Sequence, residues 1–381
     1  MKVFVIAGEP SGDRLGGALL AGLKTLAPGA RFEGVGGPMM QAEGLESLFP
    51  MEELSVMGLA EILPKYRHLK RRIRQTAKAA IAARPDVVIG IDSPDFCLRV
   101  ARLVKAGSDI RTVHYVAPTV WAWRPGRADR MAGVIDQVLA LFPFEPPYME
   151  AAGMDCDFVG HPIATEPPVT GDEIDDFRAR HGLEAGRETL MVLPGSRRSE
   201  VERLASPFVS AHALAGLEGM QVVLPTLPHL RDTVAARFSG IGGVVFDGAG
   251  LSAGRAARER LVAMASADLA LAASGTVSLE LAAARTPMVI AYDMAWLSRQ
   301  IIARLLRTDT VTLVNLVSET RVVPEFIGKA CRPERIAEGL RSVRAAPGAQ
   351  LQALDLTMER LGRGAEPPGL RAARAVLDRL H

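Results

Sequence analysis

The sequence predicts an α/β protein built from two doubly wound domains that face each other across a cleft, followed by C-terminal helices. Short apolar runs rich in β-branched residues alternate with longer helical patterns, which is typical of parallel sheets with crossover helices. The runs are apolar at successive positions, as expected for strands covered on both faces. The alternation stops at a turn-rich stretch over 164–171 and then starts again.

Length and composition support this class. The chain has 381 residues, of which 48% are hydrophobic and 23% charged, so it is long enough for two domains and too apolar for disorder. The net charge of +2 is too small for a general nucleic-acid-binding protein, and we expect no nucleic-acid partner. The three cysteines lie far apart, and no apolar run approaches the ~20 residues of a membrane span. We therefore expect a cytoplasmic protein with free thiols.

The order of the runs gives the domain boundaries. Strands are predicted in the first domain at 3–7, 87–91, 113–116 and 134–141, with helices at 15–26 and 98–104. Strands are predicted in the second domain at 190–193, 222–224, 244–246, 269–272 and 288–291. Beyond Pro333 the pattern is helical. The predicted domains are therefore 1–165 and 166–345, with helices over 346–381 that either cap the second domain or cross back to the first.

Two loops of the first domain carry carboxylates directly after predicted strands, where ligands of such sheets bind. In AGEPSGD (7–13), Glu9 lies at the strand tip, and Ser11 or Asp13 is the expected cap of the following helix. In GIDSPDF (90–96), Asp95 favours the helix dipole, whereas Asp92 lies at the strand end and is a candidate general base.

An aromatic segment, YVAPTVWAWR (115–124), follows another predicted strand. Trp121 and Trp123 are two of only three tryptophans, and Arg124 adds a guanidinium. Such a cluster stacks on a sugar or lines an apolar tunnel, although core packing is the better explanation for at least one tryptophan.

Two strand-to-helix loops of the second domain suit an anion. Gly195, Ser196 and Arg197 in LPGSRRSE (193–200) offer backbone N–H groups and a bidentate donor. Glu200 fits a capping box only if Arg197 is the cap, which we take as evidence against a box and for an anion site. Ser274, Gly275 and Thr276 form the second loop, and Glu280 lies one helical turn further, where a carboxylate suits two ribose hydroxyls. Together these features favour a nucleoside diphosphate.

Other motifs are weaker. The GAGLSA run (248–253) matches a dinucleotide fingerprint without the acidic residue expected ~20 residues later. Asp155-Cys156-Asp157 matches the DxD pattern of metal-dependent sugar transferases, but it precedes a predicted strand instead of ending one. The histidines show no metal-ligand spacing, so we expect no metal and no cofactor.

An ordered set of segments spanning nearly the whole chain resembles one family, the lipid-A-disaccharide synthases. The segments are AGEPSGD (7–13), GVGGPMM (34–40), MGLAEIL (57–63), GIDSPDF (90–96), HYVAPTVWAWR (114–124), FPFEPPY (142–148), FVGHP (158–162), LPGSRRSE (193–200), ASGTVSLE (273–280), PMVIAY (287–292), NLV (315–317) and VPEFIG (323–328). The sequence departs from the family at Asp293, where a basic residue is expected, so no donor contact is assigned to that position.

The resemblance implies a GT-B glycosyltransferase with two Rossmann-like domains. It implies a metal-independent, inverting transfer from UDP-2,3-diacylglucosamine to 2,3-diacylglucosamine 1-phosphate, giving a β(1→6) disaccharide 1-phosphate and UDP in lipopolysaccharide assembly. Asp92 is then the base for the acceptor 6-hydroxyl, with Glu9 beside it. Asn315 becomes a donor contact through the resemblance alone, and its alternative is a turn residue. Ser11, Met57 and the aromatic segment are assigned to the acceptor or acyl side.

Other functions stay open on the residues themselves. A sugar-nucleotide 2-epimerase on the same fold and a nicotinamide-dependent oxidoreductase are the competing enzyme classes. A non-catalytic lipid-binding protein fits less well, because it leaves the two anion loops unexplained. The assembly is also left open between a monomer and a homodimer.

The 65–84 segment is strongly basic. No acidic residue lies between Glu61 and Asp86, and Ile62, Tyr66, Leu69 and Ile73 recur at helical spacing. This pattern predicts either a helix packed on the sheet with a solvated basic face or an interfacial helix on anionic lipid. We favour the second, and hence a peripheral protein on the cytoplasmic face of the inner membrane, with acyl chains entering beside Met57.

Overall fold

The chain forms two compact units. The computed structural model describes residues 1–54, 59–121, 126–294 and 308–380, with the backbone alone over 59–66. The first unit comprises Met1–Thr165 together with Leu361–His381, and the second comprises Glu166–Arg360. Each unit contains a parallel sheet with helices on its faces. The predicted α/β class with two doubly wound sheets is therefore confirmed.

The sheet of the first unit has the strand order β3-β2-β1-β4-β5-β6-β7, and every pairing is parallel. Its strands are β1 (Lys2–Ala7), β2 (Arg31–Val35), β3 (Glu46–Ser47), β4 (Val87–Ile91), β5 (Arg111–Tyr115), β6 (Gln137–Ala140) and β7 (Asp155–Phe158). Its helices up to the domain boundary are α1 (Pro10–Leu26), α2 (Pro38–Ala42), α3 (Leu59–Ala83), α4 (Pro94–Gly107), α5 (Gly126–Ala132) and α6 (Pro146–Glu150).

The sheet of the second unit has the order β10-β9-β8-β11-β12-β13, again wholly parallel. Its strands are β8 (Thr189–Leu193), β9 (Gln221–Pro225), β10 (Val244–Phe246), β11 (Leu269–Ala272), β12 (Met288–Tyr292) and β13 (Glu325–Ile327). Its described helices are α7 (Gly171–Arg180), α8 (Arg198–Leu214), α9 (Arg231–Arg237), α10 (Ala253–Ala265), α11 (Val277–Ala283), α12 (Leu313–Ser318), α13 (Pro333–Ala345) and α14 (Gly348–Arg360).

The last helix, α15 (Pro368–Asp378), packs on α1 in the first unit. The two helices approach so closely that a Cβ on Gly22 would lie 2.6 Å from the Gly369 carbonyl oxygen. A Cβ on Gly369 would lie 2.4 Å from the Ala18 carbonyl oxygen. Glycine at both positions permits this crossing. Of the 346–381 segment, α15 thus lies in the first unit, while α14 lies in the second.

The sequence pattern did not predict four of the strands, β2, β3, β7 and β13. Three of them are edge strands, and the fourth lies next to an edge. Their sequences mix charged and apolar residues, as in Asp155–Phe158, because one side of an edge is solvated. The expectation that Asp155-Cys156-Asp157 precedes a strand is therefore wrong, since these residues form most of β7.

The basic helix α3 packs on the sheet. Ile73, Ala77 and Ala80 are buried in the core formed with β1, β4 and α4. Arg72 is also held by the protein, because its guanidinium donates to both oxygens of Glu53 and lies 4.3 Å from the Phe49 ring centroid. The packed-helix interpretation therefore accounts for the apolar face from Ile73 onward. The cationic residues that stay exposed on α3 are Arg67, Lys70, Arg71, Arg74 and Lys78.

Candidate functional site

In the first unit the strand order reverses beside β1. The chain moves from β1 outward to β2 and β3, then returns to β4 on the other side of β1. The loops after β1 and β4 therefore diverge from neighbouring strand ends and leave a crevice between them. Glu9 follows β1 and Asp92 follows β4. The fold thus brings together the two carboxylates that the sequence singled out.

The two loops touch at Gly8. A Cβ at this position would lie 2.8 Å from the Ser93 hydroxyl oxygen, so a larger residue would push the loops apart. Asp92 and Ser93 both adopt left-handed backbone conformations, with φ of +50° and +42°. The Asp92 N–H donates to the Tyr115 carbonyl oxygen at 2.9 Å. Left-handed non-glycine residues cost of order 1–3 kcal/mol each and cluster at functional sites, which favours a functional role for this turn.

Asp13 has a different role from the one expected. It does not cap α1, whose N-cap is Glu9 without a side-chain hydrogen bond. Its side chain is buried and accepts hydrogen bonds from the N–H groups of Gly37, Met39 and Met40 at 2.8–3.1 Å. These donors are the first turn of α2, so Asp13 caps a helix 24 residues further along the chain. The expected cap at Ser11 or Asp13 of α1 is wrong, and Asp13 instead fixes the GVGGPMM loop beside α1.

The environment of Glu9 favours its neutral form. Partial burial raises the pKa of Glu9, and the negative charge of Asp92 raises it further. Two neighbouring carboxyl groups at the strand ends can both contact one hydroxyl group of a substrate, and one of them can accept its proton. The pair can therefore orient and deprotonate one hydroxyl group.

Beside this crevice lies an aromatic cluster. Trp121 meets Phe144 edge to face at 5.2 Å between ring centroids, and Phe144 stacks on Phe142 at 5.4 Å. Phe142 also stacks on His161 at 5.5 Å. Burial, and then the Arg14 charge, lower the pKa of His161 to about 4, so its ring is neutral at pH 7. Only Trp121 of this cluster was expected, while the other rings come from the FPFEPPY and FVGHP segments that follow β6 and β7.

Glu145, in the same FPFEPPY segment, is the most buried glutamate of the region. It is 2% exposed and accepts hydrogen bonds from the N–H groups of Leu141 and Phe142. Burial raises the pKa of Glu145 to about 8, against the opposing effect of these hydrogen bonds. It holds the turn that carries Phe142 and Phe144, a role that was not predicted from its position in the sequence.

In the second unit the strand order reverses beside β8, between β8 and β11. The LPGSR loop follows β8 and the ASGT loop follows β11, so the two predicted anion loops leave neighbouring strand ends. Gly195 adopts φ +114° and Gly275 adopts φ +153°, both in the region that favours glycine. The placement of both loops agrees with the general rule for ligands of open parallel sheets.

The first of these loops already holds a carboxylate. Glu200 accepts hydrogen bonds from the N–H groups of Ser196 and Arg197 at 3.0 and 3.2 Å, and from the Arg197 guanidinium at 2.8 Å. The Tyr292 hydroxyl donates to it at 3.3 Å. Arg197 is thus the N-cap of α8, and Glu200 binds its backbone N–H. Only half of a capping box forms, because the Arg197 side chain has no acceptor for the return hydrogen bond from the Glu200 N–H, and this agrees with the expectation that a full box is absent.

Two other residues predicted on the donor side, Glu280 and Asn315, have partners within the second unit. Glu280 lies on α11 and pairs with Arg260 of α10, with 2.8 Å between Nε and Oε2. Asn315 is 1% exposed, donates to the carbonyl oxygen of Val323 and accepts from its N–H. The Asn315 amide thus ties α12 to the approach of β13, and its contact with the donor stays a prediction. Asp293 accepts from the N–H of Met294.

The DxD residues are held by arginines. Asp155 pairs with Arg111 and Arg379, and Asp157 pairs with Arg379 and accepts from the Gln137 amide. Within the described residues, no group of three or more His, Cys, Asp or Glu side chains is placed to hold a metal ion.

Three residues predicted on the acceptor side, Met57, Trp123 and Arg124, lie outside the described residues. Ser11 is exposed in the first turn of α1, two residues after Glu9.

Comparison with known proteins points to one family. The sequence profile described as lipid-A-disaccharide synthetase matches residues 3–351. The lipid-A-disaccharide synthase of Ruegeria pomeroyi is 65% identical over 384 residues, covering 100% of this chain and 96% of that protein. The lipid-A-disaccharide synthase of Rhodospirillum centenum is 46% identical, covering 99% of this chain and 94% of that protein.

Among solved structures, the UDP-GlcNAc 2-epimerase from Neisseria meningitidis bound to UDP-GlcNAc superimposes with a TM-score of 0.63. The match covers 100% of this chain and 99% of the epimerase, at 12% sequence identity. Identity this low carries the fold alone, and that fold agrees with two Rossmann-like units in one chain.

The buried cap at Asp13 gives a stability prediction. Replacing Asp13 by Ala should lower the free energy of unfolding by roughly 3 kcal/mol, because three backbone N–H groups lose a charged acceptor inside the protein. Asp13→Asn keeps one acceptor oxygen and should cost less. Urea unfolding followed by circular dichroism measures both. The control is Glu43→Ala, which removes an exposed ion pair with Lys24 and should cost less than about 1 kcal/mol. Equal losses for Asp13→Ala and Glu43→Ala would contradict the prediction.

Proposed function

Because the chain belongs to the lipid-A-disaccharide synthase family, whose members are glycosyltransferases, we propose that it joins two acylated glucosamines. The donor is UDP-2,3-diacylglucosamine and the acceptor is 2,3-diacylglucosamine 1-phosphate. The products are the β(1→6) disaccharide 1-phosphate and UDP. The match to the family over nearly the whole chain carries this proposal, and the pair Glu9 and Asp92 at the strand-order reversal supplies the chemistry it needs.

The transfer requires one proton acceptor. Asp92 takes the proton of the acceptor 6-hydroxyl as the 6-oxygen attacks the anomeric carbon of the donor. The bond from that carbon to the UDP oxygen breaks on the opposite face, so the configuration inverts. Glu9, beside Asp92, contacts the acceptor and orients it. The left-handed turn at Asp92 follows directly after β4, at the strand end.

The leaving group requires positive charge and hydrogen-bond donors. Arg197 and the loop over Gly195 and Ser196 bind the diphosphate, together with the loop over 274–276. Glu280 binds the ribose hydroxyls once its contact with Arg260 loosens. The neighbouring ends of β8 and β11 support this arrangement, because they bring both loops to one edge of the sheet.

The enzyme acts at the cytoplasmic face of the inner membrane, where its acylated substrates reside. Among the described residues, no helix is long and apolar enough to pass through a bilayer. Contact with anionic lipid comes from the exposed cations of α3, and each basic residue near such a surface contributes about 1 kcal/mol. Leu103, 40% exposed, lies with Ala77 and Ile81 in an apolar groove between α3 and α4, next to Arg74 and Lys78.

A direct assay tests the function. The protein is mixed with both acylated substrates in detergent micelles, and mass spectrometry follows the disaccharide 1-phosphate and UDP. UDP should appear only when the acceptor is present, whereas a 2-epimerase would convert the donor sugar without one. We expect Asp92→Asn to lower the turnover rate by about 10²–10⁴-fold, the usual contribution of a general base.

The matched control is Asp95→Asn, which changes an exposed carboxylate three residues further on. It should have a mild effect, and UDP binding should be unchanged in both variants. A large loss of activity in Asp95→Asn together with a mild loss in Asp92→Asn would show that Asp92 is not the base.

A further prediction concerns the binding of UDP. Arg197→Ala should weaken UDP binding by tenfold or more, because a charge-assisted contact to the diphosphate contributes ~1.5–3 kcal/mol. Isothermal titration calorimetry measures the change. Arg198→Ala is the control, since Arg198 is the next residue and is equally exposed. Unchanged affinity in Arg197→Ala would remove this residue from the donor site.

The last prediction of the proposed function concerns binding to a membrane surface. The protein should sediment with anionic vesicles at low salt and dissociate at high salt. Reversing Arg71, Arg74 and Lys78 to Glu should abolish sedimentation, while Arg72 is left in place because it pairs with Glu53. The control reverses three exposed arginines of the second unit, Arg237, Arg255 and Arg335. If both triple variants lose binding equally, overall charge and not α3 is responsible.

A further inference from the structure

A pocket of about 350 Å³ lies in the first unit, where the loops after β1 and β4 meet α3 and α4. Its charged lining consists of Glu9, Lys70, Asp95 and Arg99. Its apolar lining comes mainly from Leu54, Leu69, Ile73 and Phe96. The candidate catalytic residue Glu9 thus lines a pocket that is also lined by two cations and by apolar side chains.

The two cations are not neutralised by the protein. Among the described residues, neither Lys70 nor Arg99 forms an ion pair or a side-chain hydrogen bond. Their neighbours on the basic helix behave differently, because Arg72 and His68 both contact Glu53. The Arg72 hydrogen bond, and with it that of His68, lowers the pKa of Glu53. Glu53 is therefore paired with Arg72 and His68, which leaves Lys70 and Arg99 able to bind another anion.

The lining contains charges of both signs. Asp95 and Arg99 lie four residues apart on α4, yet they form no ion pair. Lys70 comes from the opposite helix, α3, so the two cations approach the pocket from two sides. A phosphate monoester carries a charge of about −1.5 to −2 and needs more than one donor group to offset its desolvation. A lysine and an arginine on facing helices meet that need.

We propose that Lys70 and Arg99 bind the 1-phosphate of the acceptor in this pocket, while Glu9 faces the sugar hydroxyl at the other end. This subsite rests on the proposed function. The phosphate is on C1 and the 6-hydroxyl is on the substituent of C5, the two carbons that flank the ring oxygen, so fixing one group restricts where the other can lie. Anchoring the phosphate to the cations therefore limits the orientation of the acceptor, and the carboxylates of Glu9 and Asp92 would repel a phosphate placed beside them. Leu54, Leu69 and Phe96 offer apolar surface to the adjoining acyl chains. Lys70 and Arg99 thus determine both affinity for the acceptor and its direction.

The test compares two acceptors, diacylglucosamine 1-phosphate and the same lipid with a free 1-hydroxyl, in neutral detergent micelles. The wild-type enzyme should prefer the phosphorylated acceptor in kcat/KM. The variant Lys70→Ala/Arg99→Ala should lower this preference by roughly tenfold or more, because two charge-assisted contacts to the phosphate are lost. The KM for the UDP donor should stay unchanged. Neutral micelles keep attraction to anionic lipid out of the comparison.

Two matched variants control the experiment. Arg102→Ala removes an exposed cation of α4 away from the pocket, and should leave the preference intact. Lys70→Arg/Arg99→Lys keeps both charges and should retain most of it, which shows that charge and not folding is measured.

The outcomes separate the two proposals. A double Ala variant that forms disaccharide with the wild-type preference would overturn the phosphate subsite and leave the function standing. A loss of preference in the control variants as well would also overturn it. A wild-type protein that forms no disaccharide from either acceptor would refute the proposed function itself.

Discussion

The reversal of strand order is the constraint on which both candidate sites depend. In each sheet the first strand of the unit, β1 or β8, has its sequence neighbour on one side and a returning strand on the other. Right-handed crossovers then place the connecting helices on opposite faces, so the loops from the two central strands part. The resulting crevice is the one place where backbone N–H groups and strand-end side chains from two loops converge. Glu9 and Asp92 occupy it in the first unit, and the LPGSR and ASGT loops occupy it in the second.

In each unit one carboxylate holds a loop by accepting hydrogen bonds from its backbone N–H groups. The two carboxylates, Asp13 and Glu200, differ in their surroundings. Asp13 is buried, and its three backbone hydrogen bonds fix the loop before α2 in one place. Glu200 uses the same chemistry on the LPGSR loop, but next to an exposed guanidinium. A diphosphate carries the same charge sign and seeks the same donors, so binding it to Ser196 and Arg197 means displacing Glu200. Glu200 therefore holds the N–H groups of Ser196 and Arg197 in position in the absence of a nucleotide. In our proposal, displacing Glu200 lowers the affinity for UDP.

The strands were predictable where their sequences are apolar runs, and the candidate site residues were sought directly after such strands. Strands at 87–91 and 269–272 agree with the prediction to the residue, because fully buried parallel strands read as apolar runs. The edge strands β3, β7 and β13 were missed, because half-solvated strands tolerate charge, whereas the edge strand at 244–246 was found because its sequence, VVF, is wholly apolar. Asp13 was misassigned for another reason. It bonds to backbone groups that only the tertiary fold brings near, and local spacing gives no sign of them. The left-handed backbone at Asp92 likewise has no sequence signature.

The basic helix α3 shows why a charge count alone misjudges a surface. Its cations look equivalent in sequence, yet the fold divides them by their partners. Arg72 is bound twice over, by the Glu53 carboxylate and the Phe49 ring, and contributes to holding α3 on the unit. Lys70 faces the pocket beside Glu9, and Arg74 and Lys78 border the apolar groove against α4. A helix that packs on the sheet through Ile73 and Ala80 can therefore still present cations in two directions. Our proposals assign one set to the phosphate of the acceptor, beside Glu9, and the other to a lipid surface.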